Sequence, residues 1–456
     1  MLFSTLLIGI GTIVTATSIS FTHFIVGRVI TGAGGGGIFS VASIMAIQMT
    51  SPKSRGLYMG LANTGMTVGV SLGAVIAGAL EPRVGWKPLF GIQAPLSFLC
   101  GLILFLSIPE NHTYKNTTYI DLSVRQKLAR IDYSGALLLT STIVLFLLGL
   151  SGPKILATPI AVSGLALPIF ILNEIYVAKD PVVPISVLRS RGTLLTCLAT
   201  VGFMMARWAI LFYTPVYALA VRGWAPAVAG SILVPTNAGF ASGGLLAGIF
   251  HIRRTGSFYL HTVVAMALFP FTMLAIAHLS TPRSPWSLFV VMVFLNGLVT
   301  GAATNYALVH LLHLTLPDVH PIVISLLATF RGFAGSFGSA IGGGYFVRVL
   351  HTSLTGGFAK VGLKHRGELI RRLLGSPALV NNLEGMEKAV AVSAYEGALK
   401  ALFLGAVVLS VAVAVVQGGT GWNEPATKEP QSTVEEETER EEQLVQSFQR
   451  PAGWSP

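Results

Sequence analysis

Twelve mostly apolar stretches recur along the chain, at 3–22, 24–49, 57–80, 88–108, 133–151, 156–178, 194–220, 227–250, 258–279, 286–312, 320–347 and 395–417. Each is close to the ~20 residues a helix needs to cross roughly 30 Å of hydrocarbon. The runs are continuous, whereas a transmembrane barrel shows short alternating segments. Lipid offers backbone N–H and C=O groups no partner, so each run must close its own hydrogen bonds as a helix. The fold class this predicts is all-α, a polytopic membrane helical bundle of about twelve transmembrane helices. Residues 320–347 are Gly-rich and the least apolar of the set. The first Lys or Arg is Arg28, so 3–22 lacks the basic leader of a secretory signal and reads as a retained span.

Composition agrees with that pattern and narrows it. Of 456 residues, 52% are hydrophobic and 11% charged, against about 25% charged in soluble domains. So few charges cannot cover a water-facing globule. Cys100 and Cys197 both lie in apolar runs and read as small core hydrophobes, not a disulfide framework. The net charge of +11 does not point to nucleic acid, because Lys and Arg stand singly or in short clusters between the runs, as in membrane loops. The loops after spans 2, 4, 6 and 8 carry eleven of them (Lys53, Arg55, Lys115, Arg125, Lys127, Arg130, Lys179, Arg189, Arg191, Arg253, Arg254). The opposite edges carry five (Arg83, Lys87, Lys154, Arg222, Arg283), which places the first set in the cytosol. The sequons at Asn111 and Asn116 then fall on the cytosolic side, where no glycan is expected.

The domain organisation that follows has five parts. Residues 1–110 form an incomplete N-terminal transmembrane half, 111–131 a cytosolic loop and 132–180 two inserted helices. Residues 181–417 form a C-terminal half with a non-cytosolic loop at 348–394, and 418–456 an acidic, disordered cytosolic tail with eight Glu.

Enzyme motifs match only in form. Gly32-Ala33-Gly34-Gly35-Gly36-Gly37 fits G-x-G-x-x-G, but it lies inside an apolar helix with no acid about 20 residues on. Gly69-Val70-Ser71-Leu72-Gly73 fits a hydrolase elbow, but mid-helix instead of at a strand-to-helix turn. The ten histidines are scattered. The reading is not an enzyme, with no catalytic residue, cofactor or metal. Glycines at spacing four, Gly65, Gly69 and Gly73 in one half and Gly338 and Gly342 in the other, are expected to be helix-packing ridges. Their recurrence suggests an internally repeated bundle whose halves rock across a central site.

Charges inside spans are the sharper signal, since each costs about 2.5–3.5 kcal/mol at mid-membrane unless it faces protein or water. Arg28, Arg207 and Arg331 are therefore substrate or proton-pathway candidates, with Asn237, Asn296 and Asn305 as polar companions. Glu174 lies near the end of span 6, where snorkelling or pairing with Lys179 accounts for it.

Several segments resemble the major facilitator superfamily, within it the fourteen-span drug:proton antiporter group. Gly27-Arg28 through Gly37 is similar to that family's fourth helix, and Arg55-Gly56-Leu57-Tyr58-Met59-Gly60 to the loop after it. Gly69 to Gly78 resembles the antiporter motif of the fifth helix, with Ala74 where the motif has proline. Gly85-Trp86-Lys87-Pro88-Leu89-Phe90 resembles the start of the sixth, and Arg130-Ile131-Asp132-Tyr133-Ser134-Gly135 that of the seventh. Thr329-Phe330-Arg331-Gly332 resembles a later landmark. Gly91-Ile92-Gln93-Ala94-Pro95 and Arg253 to Tyr259 are similar to fungal-type vacuolar basic amino acid transporters and multidrug efflux relatives.

The resemblance implies a major facilitator fold and proton-driven alternating access, with basic amino acids or amphipathic drugs as solutes. It implies a monomer in a vacuolar or plasma membrane, with solute, protons and lipid as partners and no nucleic acid. It also places residue 1 at the family's third helix, so the first two helices are expected to be absent. Two readings stay open there: a transport-incompetent relative acting as an interaction protein, or a sequence that starts at an internal methionine.

Overall fold

A computed structural model describes residues 1–48, 50, 55–107, 123–252, 257–316, 319–363 and 366–421. The sequons at Asn111 and Asn116, most of the 111–131 loop and the acidic tail from 422 lie outside the described residues. The first six long helices are α1 (Leu2–Ala16), α2 (Phe21–Gln48), α3 (Arg55–Val84), α4 (Trp86–Ser107), α5 (Tyr133–Ser151) and α6 (Ala157–Tyr176). The next six are α7 (Arg191–Val221), α8 (Pro226–His251), α9 (Tyr259–Leu279), α10 (Trp286–His313), α11 (His320–Lys360) and α12 (Gly385–Gly418).

Eleven of the twelve are long and apolar enough to cross a membrane. The exception is α1, whose 15 residues reach only about 22 Å at 1.5 Å per residue. The span expected at 3–22 stops early because Thr17, Ser18 and Ser20 follow Ala16, and such hydroxyls compete for backbone groups at helix ends. Thr17 does so, its Oγ1 donating to the Ile13 carbonyl at 2.9 Å.

At the other end the helices overrun their expected limits. No proline interrupts 322–376, so α11 continues for 41 residues until Gly362, whose φ of +79° ends the helix at low cost. The loop expected at 348–394 is therefore largely helical: the end of α11, a short helix Gly367–Gly375, a 3₁₀ turn Pro377–Asn382 and the start of α12.

Helices α7 to α12 share one buried core, in which Phe203, Phe269, Phe289, Phe346, Tyr395 and Phe403 interlock. Helices α1, α2 and α4 pack on one another, α3 lies along α8, and α2 meets α11. The hairpin α5–α6 packs on α11. Arg348 of α11 donates there to the carbonyls of Leu150 and Gly152 at 2.9 and 3.0 Å, satisfying groups that the end of α5 leaves open.

The tightest crossing is between α8 and α10, where glycines lie on both sides. A Cβ on Gly239 would stand 2.0 Å from the Phe294 carbonyl oxygen, and one on Gly243 1.9 Å from that of Leu298. From α10, Gly297 and Gly301 would each meet a carbonyl of α8 at 2.0 Å. Of the expected ridges, Gly338 does press on α7, where a Cβ would stand 3.0 Å from the Met205 carbonyl oxygen, and a Cβ on Gly342 would sit at an ordinary 3.6 Å from Leu402. Gly65, Gly69 and Gly73 meet nothing within 4 Å among the described residues. Helix α3 leans on α8 through Ser71 and Gly78 instead. Ser71 stands two positions, about 200° of helix, from Gly69 and Gly73, and so faces the other way.

Asp132 caps the N-terminus of α5. Burial alone would raise its pKa, but the Gly135 N–H at 2.7 Å, the Ser134 hydroxyl at 2.8 Å and the Asn173 amide at 3.2 Å hold it below the ordinary value. Glu174 stands beside it, 4% exposed. Its partner is not the expected Lys179 but the Val183 N–H, at 3.1 Å.

Candidate functional site

Arg207 lies near the middle of α7 and is 3% exposed. Its Nη1 donates to Thr236 Oγ1, and its Nη2 to the Thr236 carbonyl at 3.2 Å and to Asn237 Oδ1 at 3.3 Å. The guanidinium also stands 5.6 Å from the Phe240 ring centre. Among the described residues every partner is neutral: amide and hydroxyl dipoles and a π face take the place of a counter-ion. All three partner residues come from one turn of α8, because 236, 237 and 240 share a helical face.

Asn237 continues the chain of contacts, its Nδ2 donating to Ser71 Oγ of α3 at 3.0 Å. Arg331 of α11 approaches the same region from the other side. Its Nη2 lies 3.5 Å from Asn63 Oδ1 of α3, and its guanidinium 5.5 Å from the Phe39 ring of α2. The two arginines and Asn237 line one cavity of about 460 Å³ between α2, α3, α7, α8 and α11. Phe39, Met66, Trp208, Leu211 and Phe240 supply most of its apolar wall. A pocket of that size, apolar with a few converging polar groups, is of the kind that holds a drug-sized organic molecule.

Asn305 lies beside it, lining a smaller hollow with Asn63 and Arg331; its Nδ2 donates to the Gly244 carbonyl at 2.6 Å and helps join α10 to α8. Asn296 is not brought to the cavity. It is fully buried, and its Nδ2 donates to Thr272 Oγ1 of α9 at 2.9 Å. Nine residues separate 296 from 305, about 900° of helix, so the two amides point to opposite sides of α10. Arg28 is not brought there either. It is exposed, 5.2 Å from the Phe90 ring of α4, in a cluster with Phe24 and Trp86. It shares a helical face with Phe39 but stands eleven residues, about 16 Å, along the axis from it.

Thr236, Phe240, Phe39, Asn63 and Ser71 escape the sequence reading. One signal could have found two of them: Asn63, Thr67 and Ser71 stand four apart, a polar stripe on an otherwise apolar helix. Among the described residues no three His, Cys, Asp or Glu side chains converge as metal ligands would.

The sequence profile of the Major Facilitator Superfamily matches residues 1–339. The chain is similar to MFS-type transporter clz4 of Cochliobolus lunatus, 25% identical over 393 residues, which are 84% of this chain and 67% of that protein. It is similar to Vacuolar basic amino acid transporter 1 of Saccharomyces cerevisiae, 29% identical over 252 residues, 53% of this chain and 42% of that one. It is also similar to Multidrug resistance protein fnx1 of Schizosaccharomyces pombe, 24% identical across 85% of this chain and 73% of the relative. Among solved structures, a bacterial homolog to human lysosomal transporter Spinster, inward-facing and unoccupied, superposes with a TM-score of 0.56 at 16% identity, covering 92% of this chain and 81% of that one.

Proposed function

This chain belongs to the Major Facilitator Superfamily, and from that premise we propose that it is a proton-coupled secondary transporter that moves small organic solutes by alternating access. The observation that carries the proposal is the cavity itself. Its walls come from α2 and α3 on one side and α7, α8 and α11 on the other, with Asn237–Ser71 and Arg331–Asn63 as polar contacts across the seam. A cavity enclosed between two helix groups opens to one side or the other when one group rotates against the other about their shared contacts. We assign the moving halves to residues 1–110 and 181–417. The α5–α6 hairpin, 132–180, is an insert on the outer flank of α11.

Basic amino acids at a vacuolar membrane, and drugs, are what the relatives' names suggest trying first; amphipathic drugs and a plasma membrane are what the family resemblance adds. In this reading Arg207 and Arg331 set the field of the cavity, and Asn237 and Asn305 orient the solute. The test is uptake into proteoliposomes under an imposed pH gradient. Accumulation of at least one of labelled lysine, arginine, histidine, an amphipathic dye and 2-naphthaleneacetate, abolished by a protonophore, is expected. Uptake indifferent to the gradient would remove the coupling, and no uptake of any solute would remove the transporter.

A further inference from the structure

Resting on the reading of the cavity as a solute site, we propose that the solute it selects is an amphipathic organic anion: a carboxylate or similar oxyanion on an apolar body. The argument starts from a census of charge. Helices α2, α7, α8 and α11 contain no Asp or Glu at all, nor does α10 behind them. On α3 the one acid is Glu81, eleven residues beyond the wall residue Val70, about 16 Å along the helix. Asp132, Glu174 and Asp180 belong to the base of the α5–α6 hairpin, Glu368, Glu384, Glu387 and Glu396 follow α11 in the chain, and none of them lines the cavity. The cavity therefore holds two guanidinium groups and no carboxylate among the described residues.

Both cations are only partly compensated where they stand. Arg207 is held by hydroxyl, carbonyl and amide oxygens, and Arg331 has the Asn63 amide at 3.5 Å and the Phe39 ring. Burying a cation against dipoles alone leaves much of its lost hydration unrecovered, and an anion arriving at the same place restores it. A cationic solute would meet the opposite sign of interaction, strengthened by the low polarity of the walls. Arg presents five N–H donors in a planar fork that fits the two oxygens of a carboxylate. Arg331, whose one polar contact among the described residues is the 3.5 Å approach to Asn63, has most of that fork available. The remaining wall, with Phe39, Met66, Trp208, Leu211 and Phe240, takes an apolar body.

Three probes of nearly one shape separate the possibilities: 2-naphthaleneacetate, its neutral primary amide and 2-(2-naphthyl)ethylammonium. Binding to the full chain in lipid nanodiscs is measured for each by calorimetry. The acetate is expected to bind about ten- to hundredfold tighter than the amide, the range of a charged hydrogen bond in a dry site, with the ammonium weakest. Arg207→Gln and Arg331→Gln should each bring the acetate-to-amide ratio toward one, and Arg331→Glu should turn the preference toward the ammonium. If Arg207→Gln does not fold, the two Arg331 variants carry the comparison.

Equal binding of the three probes, a preference for the ammonium, no binding of any of them, or a ratio unmoved in the Arg331 variants overturns the inference. Failure of the transporter reading looks different. Acetate-selective binding without gradient-driven uptake would sink transport and leave the anion site standing. Uptake of cations with no acetate preference would sink the anion site alone.

Discussion

Arg207 is the residue on which a stability role and a transport role give opposite expectations. A buried guanidinium without a counter-ion costs the fold free energy, so removing its charge should not weaken the bundle. Arg207→Gln is expected to leave the thermal midpoint in detergent unchanged or raised, while solute uptake falls at least about tenfold, the scale of one charged hydrogen bond. A midpoint that drops in step with uptake would make Arg207 a structural strut. Asp132 is the reverse case. Its folded pKa lies below the unfolded one, so its contribution is complete above the ordinary carboxylate range and is lost as pH falls through the lowered value. Asp132→Ala should cost about 1 kcal/mol near pH 7, as loss of an N-cap side chain does, and should flatten the loss of stability on acidification. Parallel pH curves for the two proteins would contradict the capping account. The intramembrane arginines could be read from residues alone because hydrocarbon makes each one costly. Their neutral partners could not, since Thr, Asn and Phe in a membrane helix carry no such cost and stand out only by position.

At the scale of the helix, glycine spacing is a guide to packing only once the facing helix is known. Gly65, Gly69 and Gly73 have the spacing of a ridge yet face open space, whereas Gly239 and Gly243, with the same spacing, press on the backbone of Phe294 and Leu298. Gly243→Ala is expected to lower stability by about 1–3 kcal/mol, the usual cost of overpacking, because its methyl would overlap the Leu298 carbonyl. Gly69→Ala should change stability by no more than about 0.5 kcal/mol. Thermal unfolding of the two variants side by side checks the contrast, and equal losses would refute the α8–α10 crossing. Helix number and rough limits were legible, because a 20-residue apolar run has few alternatives in lipid. The ends were not: the hydroxyl cluster after Ala16 shortens α1, and the proline-free 322–376 lets α11 run past its apolar part. Both are local effects that hydropathy averages away.

For the whole molecule, the central arrangement is a set of helices meeting around one cavity. A central polar cavity was the expectation from three intramembrane arginines, of which Arg207 and Arg331 line it, but its place was not legible. Arg28 carries the same insertion cost as Arg331, and only the tilt and axial register of neighbouring helices set one against Phe90 and the other in the cavity. Such register depends on contacts between α3 and α8 or α2 and α11 that are far apart in sequence, and one sequence without a partner helix does not specify them. The most direct measurement of the claim that this cavity is the solute path is site-directed labelling at Gly332, where a side chain would enter open space on the cavity wall. In a Cys100→Ala background, with buried Cys197 retained, Gly332→Cys should react in proteoliposomes with a membrane-impermeant maleimide, and a transported solute should slow that reaction. Absence of labelling from both sides of the membrane, or labelling that a transported solute leaves unchanged, would contradict it.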